Sequence, residues 1–355
     1  MSQALAPTLH TDTFTRDRLP PKDQWPVFVF DRPEVQYPER LNCVKALLDE
    51  HVAQGRGDRM AVRGVDATGP MAWTYAQLQT KVNQIAHVLV HDMGLKSGER
   101  LLLRGGNSPM MAACFLAALK AGLVVVPTMP LLRAAELRQI IVKAQVKAAL
   151  CDSLLAEELA HCTDSSHAHF ATSLGQVLLF RSTDDEGIEA RMAKHAKEFE
   201  ACDTSRDDVC LIAFTSGTTG QPKGVPLSHS NLLHQLRHLG VAVAPKPGDR
   251  VVSVLPIWHA YERTAEYLLL SCGCRQTYTT LRHLKADPEK ILRDNGFTSG
   301  FSSECDPDEL LPYDRIEQLL QAAADATHCP HFAAMLGIQQ NINLLGVVGD
   351  LMLQS

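Results

Sequence analysis

The sequence predicts an α/β fold in which layered, parallel-rich sheets are flanked by helices and followed by a helical C-terminal tail. Two observations carry that expectation. From about residue 58 to 292, strand-like apolar runs alternate with segments of helical periodicity, which is the pattern of strand-helix-strand units that build parallel sheets. After Asp294 the texture changes. Residues 295–312 are rich in Gly, Ser, Asp and Pro and read as a linker, and the remainder to Ser355 reads as mainly helical.

The elements follow in order. Thr74 and Gln77 have the spacing of a capping box, and Trp73 and Leu78 that of a hydrophobic staple. The stripe Leu78, Val82, Ile85, Ala86 and Leu89 then runs to a stop near Gly94, so this helix packs on a sheet. Arg100 to Arg104 reads as a strand, Pro109 to Ala121 as a helix, Leu123 to Pro127 as a buried strand, Ala134 to Ala144 as a helix and Lys147 to Asp152 as a strand. Residues 153–207 are more polar, with a strand at Gln176 to Phe180 and a helix at Ile188 to Phe199. Val209 to Phe214 is a short apolar strand, followed by small polar residues. A helix from Ser228 to Leu239 comes next, with Leu232, Leu233, Leu236 and Leu239 on one face and Gly240 as its stop. A strand at Arg250 to Leu255, a helix at Tyr261 to Leu270 and a strand at Gln276 to Thr280 complete the series. In the tail, Asp314 and Glu317 stand at cap spacing around Ile316, Leu319, Leu320 and Ala323.

Composition narrows the function classes. The 355 residues allow two domains, and 45% hydrophobic with 21% charged residues is ordinary for a globular chain. A net charge of −6 offers no footprint for nucleic acid or an anionic membrane, so anionic ligands must be held locally. Ten scattered cysteines without a C-x-x-C pair suit reduced thiols in a cytosol. Residues 1–26 carry charges and four prolines with no apolar signal-peptide core. The most apolar stretch, Ala112 to Leu131, contains Lys120, Gly122, Pro127 and Pro130 and reads as a buried helix and strand, not a membrane span. The expected location is cytoplasmic.

The most informative segment is Phe214-Thr215-Ser216-Gly217-Thr218-Thr219-Gly220-Gln221-Pro222-Lys223-Gly224-Val225, directly after a strand. Its three glycines permit close backbone approach and positive φ, its four hydroxyls and free N–H groups can wrap phosphate oxygens, and Lys223 adds a mobile cation. Pro222 before the lysine and Gly224 after it distinguish the run from the usual Gly-Lys-Ser/Thr P-loop. A flexible Ser/Thr/Gly linker is the alternative, although such a linker does not belong between a buried strand and a capped helix.

This run resembles the phosphate-binding signature of the adenylate-forming (AMP-dependent synthetase/ligase) superfamily. Thr74 to Leu89, Gly98 to Asn107 and Leu116 to Leu131 resemble the early core of the same superfamily in the same order. From about 30 to 225 the chain is most similar to aminobenzoate- and benzoate-CoA ligases, through Pro38 to Asn42, Arg104 to Met111 and Thr128 to Arg133. From about 225 to 292 it is more similar to long-chain acyl-CoA and acyl-carrier-protein synthetases, through His229-Ser-Asn-Leu-Leu233 and Leu255-Pro-Ile-Trp-His-Ala-Tyr-Glu-Arg263. The resemblance implies that residues 1–294 form a truncated N-terminal domain of the adenylate-forming fold. It also implies a two-step reaction: a carboxylic acid attacks the α-phosphate of ATP to give acyl-AMP and pyrophosphate, and a thiol of CoA or acyl carrier protein then displaces AMP. Thr215, Ser216, Gly217, Thr218, Thr219, Gly220 and Lys223 would hold the β- and γ-phosphates, and His259 would line the acid pocket near the reacting carboxylate.

The superfamily pattern also contains a Tyr-Gly-x-Thr-Glu segment for adenine and Mg2+, a Thr-Gly-Asp for the ribose, and a mobile C-terminal domain with a catalytic lysine. None is found in these 355 residues, and the expectation is impaired turnover. Leu311 to Ser355 instead resembles part of the ligand-sensing domain of AraC-type regulators, through Ile316 to Ala323, Thr327 to Phe332 and Leu336 to Gly349. Two other readings therefore stand beside the ligase: a non-catalytic protein that binds ATP or an acid, and a sensing or interaction module. No metal site is expected. His161, Cys162, His167 and His169, and likewise His328, Cys329 and His331, lack the paired spacing of structural zinc ligands. A sheet cut short could hide its exposed edge by forming a homo-oligomer.

Overall fold

A computed structural model describes residues 5–25, 36–66, 69–215, 222–243 and 245–280. Among these residues ten strands form two sheets. The larger combines β3 (Arg100–Arg104), β4 (Val124–Thr128), β5 (Val146–Asp152), β6 (Gln176–Phe180), β7 (Val209–Thr215) and β8 (Lys223–Ser228), in the order β6-β5-β3-β4-β7-β8. Every neighbouring pair is parallel except the edge hairpin β7–β8. The smaller combines β1 (Met60–Asp66), β2 (Gly69–Thr74), β9 (Arg250–Ser253) and β10 (Arg275–Tyr278), in the order β2-β1-β10-β9, with only β1–β2 antiparallel. The expected parallel-rich, layered α/β architecture is the one observed.

The helices are α1 (Glu50–Ala53), α2 (Tyr75–His87), α3 (Pro109–Lys120), α4 (Ala134–Ala144), α5 (Ala156–Thr163), α6 (Ile188–Met192), α7 (His229–Val243) and α8 (Ala260–Ser271). Burial of all of α3 explains its apolar sequence from Pro109 to Leu119, and Lys120 at its end is buried against Asp49 at 2.7 Å. The helix lies between the layers, against β1 and β2 of one sheet and β3 and β4 of the other, as a helix apolar on every side must. The large sheet is covered on both faces. Leu101, Leu103 and Val125 join α2, α3, α7 and α8 in one core, whereas Leu102, Val124 and Val126 enter a second core under α4 and α5. Consecutive apolar residues therefore reflect alternating burial on two faces.

Local signals set the ends. The Thr74 hydroxyl accepts from the Gln77 amide at 3.2 Å and the Gln77 side chain accepts from the Thr74 amide at 2.9 Å, completing the capping box of α2. A π-helical turn, Val88–Asp92, follows α2, and Gly94 ends the run at φ 64°. At the other end of the β3 layer, the buried Arg104 guanidinium donates to the carbonyls of Met129, Pro130, Leu132 and Leu155, which ties together the loops leaving β4 and β5.

Four details differ from the sequence reading. The β1–β2 hairpin was not anticipated, because Arg63, Gly64 and Pro70 interrupt any apolar alternation. The helix expected over 188–199 ends at Met192. Beyond it, the carbonyls of His195, Lys197 and Glu198 accept from the Gln84, Asn83 and His87 side chains of α2, and so are taken by another element. Gly240 does not stop α7, which continues to Val243; an internal glycine costs only about 1 kcal/mol relative to alanine. Between the phosphate loop and α7 lies β8, whose Pro226 is tolerated because the strand is at the sheet edge. The linker expected at 295–312 and the helical tail lie outside the described residues.

Candidate functional site

The phosphate segment is built on the β7–β8 hairpin. Val209 to Ile212 are buried, Ala213 and Phe214 half-buried, and Thr215 exposed, so β7 carries the chain out of the core to the surface. The return strand is antiparallel, with Phe214 opposite Gly224 and Thr215 opposite Lys223. Gly224 is not a positive-φ residue. A Cβ there would lie 2.9 Å from Ile212 Cγ2 and 3.3 Å from Phe214 Cζ. Glycine at 224 is thus a matter of room for the Ile212 and Phe214 side chains, which corrects the expectation that it supplies positive φ.

Of the residues assigned to the phosphates, Thr215 and Lys223 are brought together at the mouth of the hairpin. Ser216, Gly217, Thr218, Thr219 and Gly220 lie outside the described residues. Lys223 is exposed and makes no ion pair among the described residues. The exit from the loop is anchored by the last turn of α4, where Lys143 Nζ donates to the Pro222 carbonyl at 2.7 Å. A mouth with two lysines suits an anion.

His259 begins the turn into α8. Its amide donates to the Pro256 carbonyl at 2.9 Å, its carbonyl accepts from the Arg263 amide at 3.1 Å, and its side chain is exposed. The preceding Trp258 is half-buried against the core between the layers. Asn107, in the loop after β3, spans the two sheets: its Nδ2 donates to the Leu255 carbonyl at 2.6 Å and its Oδ1 accepts from the Ile257 amide at 3.1 Å. β3, β4 and β7 are parallel neighbours, so the loops after β3 and β7 leave one edge of the large sheet. The 255–259 segment is fixed to that edge through Asn107. Ligands of open α/β sheets bind outside the carboxyl ends of the strands.

Beneath the His259 turn lies a buried charged group that sequence reasoning did not assign. The Ser253 hydroxyl donates to the Glu262 carboxyl, and burial pushes Glu262 up to about 8. Arg263 Nε donates to the Ile257 carbonyl at 2.6 Å, its guanidinium lies 2.5 Å from the Glu266 carboxylate, and it stacks 4.3 Å from the Phe115 ring centroid. The Tyr278 hydroxyl donates to Glu266, whose carboxyl is pushed up by burial. The signal was the unbroken Leu255 to Arg263 run. Its last residue, Arg263, holds the turn from below through the Ile257 carbonyl.

Potential metal ligands gather elsewhere. His161 and His167 stack at 4.3 Å, but the Cys162 thiol is buried and donates to the Ala134 carbonyl at 3.5 Å. Among the described residues one group of three ligands converges: Cys43, Cys210 and His229. His328, Cys329 and His331 lie outside those residues.

Comparisons with known proteins bear on this geometry. Residues 49–299 match the AMP-binding enzyme family. A chloroplastic long-chain fatty acid acyl-carrier-protein ligase of Arabidopsis thaliana is 32% identical over 257 residues, covering 66% of this chain and 35% of that protein. A benzoate-CoA ligase of Thauera aromatica is 27% identical over 236 residues, covering 64% of this chain and 42% of that protein. The ATP-bound crystal structure of MatB from Rhodopseudomonas palustris aligns with a TM-score of 0.60 at 27% identity, over 71% of this chain and 47% of that one. The chain therefore spans about a third to two fifths of the length of these curated relatives. Nothing in these comparisons supports a regulator-like tail.

Proposed function

Because the chain belongs to the AMP-binding enzyme family, we propose that it supplies the phosphate-binding part of an ATP-dependent carboxylic acid ligase. The observation that carries this reading is the hairpin mouth, where Thr215 and an exposed Lys223 face each other across the ends of a Ser/Thr/Gly loop. In the reaction, a carboxylate oxygen attacks the α-phosphorus of ATP, the bond to the bridging oxygen breaks, and pyrophosphate leaves. A thiol sulfur of CoA or acyl carrier protein then attacks the acyl carbon and AMP leaves. No covalent bond to the protein is required, so its contribution is positioning and charge neutralisation.

Lys223 and the loop residues Ser216 to Gly220 hold the β- and γ-phosphates, with the Thr215 hydroxyl as a further donor. His259, at the start of α8, lines the acid side. The acid is an aryl or fatty acid, a choice supported by relatives of both kinds. Magnesium customarily accompanies ATP, but it requires oxygen ligands. Thr215 is the oxygen donor described at the hairpin mouth, and no step is assigned to that ion. The described residues contain no helix long and apolar enough to cross a membrane. The eight described cysteines are free, which supports a reducing compartment such as the cytoplasm.

The test is ATP–pyrophosphate exchange across benzoate, aminobenzoates and medium- to long-chain fatty acids. Acid-dependent exchange with at least one class is the expected result. No exchange with any acid, alongside measurable ATP binding, would leave nucleotide binding intact and reject activation by this chain.

A further inference from the structure

We propose that Cys43, Cys210 and His229 form a buried binding site for one thiophilic d10 cation, zinc(II) or copper(I). The three residues come from separate parts of the chain: the helical turn before α1, the second residue of β7 and the first residue of α7. All three are 0% exposed. Their ligand atoms lie within 4.8 Å of one another. His229 Nδ1 is 3.2 Å from Cys43 Sγ and accepts the Cys43 amide proton at 3.3 Å. The amide contact makes Nδ1 the unprotonated ring nitrogen, its lone pair taken by the Cys43 amide proton in the empty site, and leaves the ring proton on Nε2, which has no hydrogen-bond partner among the described residues. Two thiols and one unprotonated imidazole nitrogen that converge in a dry interior make an S2N ligand set of the kind soft ions take.

The dimensions agree. Metal–sulfur bonds of about 2.3 Å and metal–nitrogen bonds of about 2.0–2.1 Å at tetrahedral angles put S and N about 3.6 Å apart. The observed 3.2 Å needs to open by a few tenths of an ångström. Binding breaks two S–H bonds, forms two metal–sulfur bonds and one metal–nitrogen bond, and releases two protons to solvent; Nδ1 gives up the Cys43 amide proton and the Cys210 thiol its contact with the Leu227 carbonyl. Two thiolates neutralise zinc(II) and leave one net negative charge with copper(I). The ion would fasten the base of β7 to α7 and to the α1 turn, five residues before Thr215 on the same strand.

The full chain is produced in zinc-supplemented and, separately, copper-supplemented medium, and metal content is read by native mass spectrometry. One ion per chain is expected in at least one arm, falling at least tenfold in Cys43→Ala and Cys210→Ala but unchanged in Cys202→Ala. Cobalt(II)-loaded wild-type chain reports the same ligation without a variant, through thiolate-to-cobalt charge-transfer absorption. Wild-type chain that retains neither ion, retention that survives both alanine changes, cobalt loading without charge-transfer bands, or recovery of Cys43 and Cys210 as a disulfide would each overturn the site. ATP binding is read in the same samples, so failure here is distinguishable from failure of the phosphate-loop assignment.

Discussion

Glu262 shows how a single buried group couples the site to pH. Its carboxyl titrates near 8 in the folded chain because burial disfavours the charged form, against an ordinary value of 4.5. Below 4.5 both folded and unfolded chains keep the proton, and its contribution is fully present. As pH rises from 4.5 to about 8 the unfolded chain sheds the proton while the folded chain retains it, so stability falls across that window and then levels. Glu262→Gln removes the proton while keeping an acceptor for Ser253. Urea unfolding at pH 5 and pH 8 is expected to show a loss in the wild type, on the order of a few kcal/mol, that the variant lacks. Equal slopes in the two proteins would refute the assignment. Neither this group nor the Cys43–His229 contact, across 186 residues, could be read from the sequence, because burial and long-range proximity are properties of the fold. The Ser/Thr/Gly run ending in Lys223 could be, because its residues are neighbours in sequence.

At the level of elements, most helices and strands were legible where one physical signal dominated. The β3 strand and α4 have the boundaries expected of them, and α2 has its capping box. The misses occur where tertiary contacts outweigh local pattern: α6 ends at Met192 and the His195 and Lys197 carbonyls beyond it accept from α2 side chains, and β8 is a strand despite Gly224 and Pro226 because β7 offers it a partner. The β7–β8 hairpin is therefore sensitive at Gly224. Gly224→Ala places a methyl 2.9 Å from a branched Ile212 carbon, and such overpacking costs about 1–3 kcal/mol. The expected result is a lower midpoint in denaturant together with weaker ATP binding, since Lys223 is the next residue. Wild-type stability and wild-type affinity in this variant would show that the contact does not set the position of Lys223.

Among the described residues two sheets meet around α3, and Asn107 links the loop after β3 to the 255–257 segment. Asn107→Ala strands the Leu255 carbonyl and the Ile257 amide, at about 1–3 kcal/mol for each group left unsatisfied. Thermal unfolding is expected to move down, and ATP affinity to change less than in Gly224→Ala, because Asn107 holds the His259 segment and not the hairpin. A loss of ATP affinity as large as that of Gly224→Ala would contradict this division of labour. The parallel-rich architecture was legible from alternation alone, whereas the pairing of the two sheets was not, because it depends on which apolar face meets which. The hairpin mouth as a nucleotide phosphate site is tested most directly by calorimetric titration of ATP into wild-type and Lys223→Ala chains. One ATP per wild-type chain is predicted, with affinity about ten- to a hundredfold lower in the variant, equivalent to about 1.5–3 kcal/mol for a lost charge-assisted contact. Equal ATP affinity in the two proteins, or none in the wild type, would contradict it.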